Sequence, residues 1–309
     1  MQPSHDVSVV VPVFNGAGTL RALFSAIQEE MRSLNLSADV IFVDDGSTDE
    51  SWRVVLDLNA QHGSQVRGLR LARNCGQQAA TYCGLLEADG NWVLTIDDDL
   101  QTHPREIRKL WAHAQATQSD VVYGVYTALR HGLVHRLGTR VFRMLLRRVA
   151  PTFPDGSSFR LIRADVVRSM PRMPGPWVLV DAVLARHTSD FTSVVVEHAP
   201  RESGRSGYTF PMLFAMACTL LFTYSRVPLR LMTALGLLSA VGSFALGLYY
   251  LFQKITVGAQ IGFSALIVTI AFSSGVILLS LGILGEYISR IHAIGSGEAA
   301  FTIKARAVV

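Results

Sequence analysis

The sequence predicts an α/β fold: a mostly parallel sheet covered by helices on both faces, then an amphipathic interfacial helix and two membrane-spanning helices. Three observations predict it. Residues 7–125 alternate short Val/Ile-rich runs with helix-length segments, the order that builds a parallel sheet. The runs are nearly unbroken in apolar residues, as strands buried on both faces require. Two windows near the end, 231–253 and 255–285, contain no charged residue, and each exceeds the roughly 20 residues that cross a bilayer core.

The strands are expected at 7–13, 40–43, 68–71, 92–96 and 120–125, and the helices at 17–34, 48–62, 76–88 and 104–117. Ser47-Thr48-Asp49-Glu50 has the spacing of a capping box, with Ser47 accepting from the Glu50 amide. After residue 125 the pattern loosens. "HRLGTRVFRMLLRRV" (135–149) sets five arginines among apolar residues, a basic helix over about 133–149 suited to an anionic membrane surface. A helix over 177–187 and a strand over 191–197 follow. "HAPRESGRSGY" (198–208) reads as a mobile loop.

Residues 209–226 are expected to lie along the membrane interface, because Pro211 and several hydroxyls interrupt the apolar stretch. The spans are placed at 229–253 and 261–285, with a cytoplasmic tail over 286–309. Arg226 and Arg230 precede the first span, Arg290, Lys304 and Arg306 follow the second, and Lys254 alone lies between. That bias puts both ends in the cytoplasm. The start, "MQPSHDVSVVVPV", lacks a basic leader, so residues 1–208 are expected to form a cytoplasmic domain. The three cysteines match no zinc spacing. The +4 net charge is modest and clustered, and no nucleic-acid partner is expected.

The chemistry concentrates in acids behind apolar runs. Asp44 and Asp45 end the second strand, and Asp97, Asp98 and Asp99 follow the fourth. In open α/β sheets ligands sit outside the carboxyl ends of the strands, so both groups come to one edge, where a nucleotide would bind. Adjacent carboxylates invite a hard divalent cation, which one or two of them hold together with substrate phosphates. If the chain stays extended there, Asp97 and Asp99 share a side and Asp98 turns away.

These segments also carry a resemblance. "VVVPVFNGAGTL", "IFVDDGSTDES", "RNCGQQAA" and "IDDDLQTHP" resemble, in order and spacing, the inverting family 2 glycosyltransferases of the GT-A fold. "DGSSFRLIR", "RESGRSGY" and "VPLRL…LGILGEYISRI" are similar to the polyprenyl-phosphate branch of that family, nearest to the undecaprenyl-phosphate formamido-arabinose transferases and the dolichyl-phosphate mannose synthases. The resemblance implies a nucleotide-sugar donor, UDP-linked, a polyprenyl phosphate acceptor, and a multi-pass enzyme of the bacterial inner membrane that assembles as a tetramer.

By position it implies that Pro12, Phe14 and Asp44 or Asp45 hold base and ribose, with Gly76 and Gln77 lining the same pocket. Asp97, Asp99 and Gln101 would hold Mg²⁺ or Mn²⁺. Asp98 stands where relatives carry a small residue, which brings a second acid near the metal and the nucleotide. Asp155 would face sugar and acceptor. Arg130, Arg136, Arg140, Arg201 and Arg205 would bind the reacting phosphates. A pocket lined by Asp155, Trp177 or Asp181 would select the sugar.

Three rival readings have weaker support. Gly16-x-Gly18 after a strand suggests dinucleotide binding, but Arg21 occupies the third glycine position of the fingerprint. A non-enzymatic membrane scaffold has no need of the clustered acids and arginines. A processive synthase would carry a Gln-x-x-Arg-Trp motif, which is missing. His131 and His135 have helical spacing but no third zinc ligand nearby.

Overall fold

The structure is a computed structural model that describes residues 5–126, 157–172, 175, 178–197, 227–257 and 263–307. The basic helix over 133–149, the interfacial helix over 209–226, and Arg130, Arg136, Arg140, Asp155, Trp177, Arg201 and Arg205 lie outside the described residues, as do His131 and His135. The chain divides into two compact units, a sheet unit and a unit of two long helices.

The sheet unit follows the expected alternation. β1 (Val7–Val13), β2 (Ala38–Asp44), β3 (Val66–Leu71), β4 (Trp92–Thr95) and β5 (Val121–Tyr126) alternate with α1 (Leu20–Ser33), α2 (Ser51–His62), α3 (Gln77–Glu87) and α4 (Ile107–Thr117). β6 (Arg160–Arg163), α5 (Ala164–Ser169), α6 (Val180–His187) and β7 (Phe191–Val196) continue the unit. After the two long helices, β8 (Ile303–Ala307) completes it. The strand order is β7-β5-β6-β4-β1-β2-β3-β8. Neighbours in β3-β2-β1-β4 are all parallel, as are β5 and β7. β6 runs antiparallel to β4 and β5, and β8 antiparallel to β3.

Every residue of β1 is buried, and its period-two alternation splits the core. Val7, Val9, Val11 and Val13 face a cluster that includes Leu20, Leu23 and Ile27 of α1 and Leu110 of α4. Val10 faces the opposite cluster, with Tyr82 of α3 and Leu184 of α6. The buried apolar positions of α1 (Leu20, Leu23, Phe24, Ile27 and Met31) fall on one helical stripe, which is why this segment packs as a helix.

Some boundaries differ from expectation. Ser47 does not cap α2. Its Oγ accepts from the Asn15 amide at 3.0 Å, and Asp49 Oδ1 instead accepts from the Ser51 amide at 3.0 Å. The helix starts at Ser51, and its N-cap residue Glu50 makes no side-chain cap bond.

The second unit contains α7 (Val227–Val257) and α8 (Phe263–Gly295). Their windows Val227–Tyr249 and Phe272–Gly295 are long and apolar enough to cross a membrane, and neither is buried within the structure. α8 extends beyond the expected end of the span at 285, because Arg290 and Glu286 pair across one turn at 2.7 Å and carry the helix through its first charges.

Candidate active site

The strand order reverses at β1, between β2 and β4, and such a switch point opens a crevice at the carboxyl ends of the strands. β1 and β4 stay paired only through Val10 and Thr95, with one further bond from the Ile96 amide to the Val10 carbonyl at 3.1 Å. Past that point the strands part, and a cleft of about 280 Å³ opens. Pro12, Phe14 and Asp45 line it from β1 and β2, Gly76 and Gln77 from the start of α3, and Asp97, Asp98 and Asp99 from the turn after β4. A larger hollow, about 620 Å³, lies beside His5, Gln28 and His62 at the opposite edge of the sheet, with no carboxylate in its lining.

Phe14 is 49% exposed, a flat apolar face left open at the rim. Asp44 sits elsewhere. It is fully buried, accepts from the Ser47 amide at 3.0 Å, and has Arg70 Nε 3.1 Å from its Oδ2, out of line for a hydrogen bond. Asp45 is the member of the pair that reaches the cleft. It accepts from the amides of Cys75 at 2.7 Å and Gly76 at 2.8 Å, which fixes the loop into α3. Burial pushes its carboxyl above the ordinary range, and those two amides pull it back. Gly76 holds φ at +88°, a conformation open to glycine.

The loop after β1 is stitched to the loop after β2. The Asn15 amide donates to Ser47 Oγ, Gly16 to Ser51 Oγ at 2.9 Å, and Ala17 to Asp49 Oδ2 at 3.2 Å. The Phe14 amide donates to Asp98 Oδ2 at 3.3 Å. Four successive amides are thus occupied by side chains. A dinucleotide fingerprint presents such amides to a pyrophosphate, so this glycine loop does not serve as one. Gly16 leaves room for another group: a Cβ there would lie 2.4 Å from Asp98 Oδ2, so a larger residue would displace that carboxylate.

β4 ends at Thr95, and the chain turns rather than staying extended, with Leu100 at φ +57°. The premise that Asp98 turns away fails for that reason, and all three aspartates line the same cleft. Asp97 accepts from Gln77 Nε2 at 2.6 Å and from Ser158 Oγ at 2.5 Å. Burial raises its carboxyl despite the Ser158 bond, and the charge of Asp99 adds to the rise. Burial pushes Asp98 further, to about 6, with the Phe14 amide opposing and Asp97 and Asp99 adding. Asp99 Oδ1 accepts from the Gln101 amide at 3.1 Å, so the Gln101 backbone supports the turn.

The donor set suits Mg²⁺ or Mn²⁺: hard oxygens, crowded enough to repel one another. Among the described residues no three His, Cys, Asp or Glu side chains form a ligand group.

Sequence reasoning missed Ser158 and the buried Arg160 behind it. An arginine in a short strand reads as a surface residue, yet Arg160 is 1% exposed. It pairs with Asp181, whose carboxylate also accepts from the Tyr123 hydroxyl at 3.0 Å. Asp181 therefore belongs to this buried network. The signal in the sequence was the apolar context, Phe159 and Leu161-Ile162, on either side of one arginine.

A cleft lined by carboxylates, at the switch point of a Rossmann-like sheet, is the arrangement expected of a GT-A glycosyltransferase. The chain belongs to glycosyl transferase family 2, whose family model matches residues 8–163. An uncharacterised glycosyltransferase of Synechocystis sp. is 30% identical over 295 residues, covering 93% of this chain and 91% of that protein. The undecaprenyl-phosphate 4-deoxy-4-formamido-L-arabinose transferase of Salmonella choleraesuis is also 30% identical over 295 residues, covering 94% of this chain and 90% of that one. Among solved structures, glucosyl-3-phosphoglycerate synthase from Mycobacterium tuberculosis with phosphoglyceric acid aligns at a TM-score of 0.49 and 20% identity. That alignment covers 72% of this chain and 79% of the synthase.

Proposed function

We propose that this glycosyltransferase moves a sugar from a UDP-sugar to a polyprenyl phosphate, undecaprenyl phosphate, with inversion at the anomeric carbon. The observation that carries the reading is the single cleft in which exposed Phe14 and buried Asp45 stand across from Asp97, Asp98 and Asp99. The likeness to a transferase named for undecaprenyl phosphate over most of both chains supports the acceptor class.

Phe14 and Pro12 offer apolar faces to the base. Asp45 holds the loop bearing Gly76 and Gln77 against the ribose. Asp97 and Asp99 would hold Mg²⁺ or Mn²⁺, with Gln101 beside them. When bound, the cation neutralises charge on the departing diphosphate. A lipid phosphate monoester has a second pKa near 6 and is already an anion at neutral pH, so the protein need not supply a strong base. What remains is positioning. Guanidinium groups bind phosphate in a bidentate fashion, a task that falls to Arg130, Arg136, Arg140, Arg201 and Arg205. By the resemblance, Asp155 would serve the sugar and acceptor side.

α7 and α8 anchor the enzyme in the bacterial inner membrane with the sheet unit in the cytoplasm, as the Arg and Lys bias around the two helices supports. The purpose is physical. Each methylene of a polyprenyl chain costs about 0.8 kcal/mol to expose, so the enzyme works where the lipid lies.

The test is a donor panel. Full-length protein in membranes, with undecaprenyl phosphate and Mn²⁺, is given several UDP- and GDP-sugars, and lipid-linked product is measured. Transfer from one UDP-sugar is expected, lost in excess chelator and reduced at least about a hundredfold in Asp97→Asn and Asp99→Asn. Undiminished product with chelator present, or in either variant, would overturn the reading.

A further inference from the structure

We infer that Arg160 is a positioning residue for Asp97, acting through Thr95 and Ser158. The inference rests on the reading of Asp97 as a cation ligand.

Asp97 needs outside support. Strand pairing of β4 ends at Thr95, so no ladder hydrogen bond fixes the backbone at Asp97. Its carboxylate is steered by two side chains, Gln77 from α3 and Ser158 from the segment leading into β6. Ser158 is in turn held by its carbonyl, which accepts from Thr95 Oγ1. Thr95 Oγ1 accepts from Arg160 Nε at 3.1 Å. Arg160 is anchored at its far end by Asp181, and Tyr123 donates to the same carboxylate oxygen. An unbroken chain of hydrogen bonds thus runs from Asp181 through Arg160, Thr95 and Ser158 to Asp97. Register explains the fit: Arg160 lies opposite Thr95 on β4 and opposite Tyr123 on β5.

Stability does not account for this arrangement. Desolvating a guanidinium and a carboxylate costs several kcal/mol per ion, and an apolar pair of equal volume commonly serves a fold as well or better. A buried cation with bonds that end on Asp97 does something an apolar pair cannot. It fixes the orientation of Ser158, and through it the carboxylate of Asp97. Outer partners of metal ligands typically contribute about 10- to 100-fold to metal affinity.

The test reads metal binding rather than turnover. Mn²⁺ binding to the full chain in detergent, with UDP present, is followed by the loss of the free-ion resonance signal. Wild-type protein must bind Mn²⁺, and failure to do so would sink the functional reading itself. Given wild-type binding, Ser158→Ala is expected to weaken Mn²⁺ about tenfold, and Ser158→Thr, which keeps the hydroxyl, to return it to within about threefold. Arg160→Lys keeps the charge against Asp181 but loses the bond to Thr95, and is expected to cost about threefold. Thr95→Val cuts the same link without touching a buried charge and serves if the lysine variant does not fold. Added to Ser158→Ala, Thr95→Val should cost nothing more. Wild-type Mn²⁺ affinity in Ser158→Ala or in Thr95→Val, a threonine variant no better than alanine, or a multiplied loss in the double variant would each overturn the inference. An equal loss of metal-free UDP affinity would do so too, because it would mark general collapse of the cleft.

Discussion

Asp98 shows how one residue's role depends on where a strand stops. Had β4 continued, its side chain would have faced away from Asp97 and Asp99. Because the chain turns after Thr95, the carboxylate meets the Phe14 amide and fills the space above Gly16. Burial lifts its pKa to about 6 from 3.8. The folded form therefore holds this proton more tightly than the unfolded form does. In metal-free protein, its contribution to stability is greatest below about pH 4, declines as pH rises toward 6, and stays lost above that. At 1.36 kcal/mol per pKa unit the effect is at most about 3 kcal/mol. Asp98→Asn removes the charge and keeps an oxygen for Phe14. In chelator its unfolding midpoint should exceed wild type at pH 7.5, and the gap should close near pH 4. A constant gap across that range would show that Asp98 does not titrate as described.

The residues of the cleft were largely legible in the sequence for the same reason: polar side chains directly behind apolar runs have to serve something. Asp45 and the three aspartates were found in that way, whereas Pro12, Phe14, Gly76 and Gln77 came only from the resemblance to family 2 glycosyltransferases. Asp44 was not separable from Asp45, because adjacent positions at a strand end differ only in which way the turn aims them. Ser158 and Arg160 escaped because their partners lie 61 and 65 positions earlier in the chain.

At the scale of elements, parallel strands and their helices were readable from apolar periodicity alone, to within a few residues. The antiparallel additions were not. β6 is four residues long and carries a buried arginine. β8 alternates Lys304 and Arg306 with Ile303, Ala305 and Ala307, a pattern indistinguishable from a polar tail until its partner is known. That partner is β3, in a register that sets Ala307 beside Gly68. Asn59 Nδ2 reaches the Val66 and Ala307 carbonyls, and Arg306 pairs with Glu87 through both nitrogens. Removing residues 303–309 strips this edge. The expected loss is about 3 kcal/mol, a fall of roughly 10 °C in the unfolding midpoint of the sheet unit. An unchanged midpoint would mean that the strand contributes nothing to the fold.

The whole molecule joins a soluble-type sheet unit to a pair of helices with a surface of the opposite kind. Leu238, Phe244 and Leu278 are each 69% exposed, an arrangement that water would not tolerate. A lysine at the centre of a membrane helix costs about 2.5–3.5 kcal/mol to insert. Leu238→Lys should accordingly lower the fraction of protein that resists alkaline extraction from membranes, while an exposed helix position of the sheet unit, such as Arg53→Ala, should not. Equal retention of both variants would argue against α7 as a span. This level was the plainest in the sequence, since absence of charge over more than twenty residues has few other meanings.

The last strand also dictates an order of events during biosynthesis. β8 is translated roughly 230 residues after its partner β3, behind both apolar helices. At about 5–20 residues per second, the newborn sheet waits roughly ten to fifty seconds with one row of amides and carbonyls bare. A ribosome that stalls before Ile303 would release a chain with an open, pairing-ready border, prone to clump however well the rest has formed.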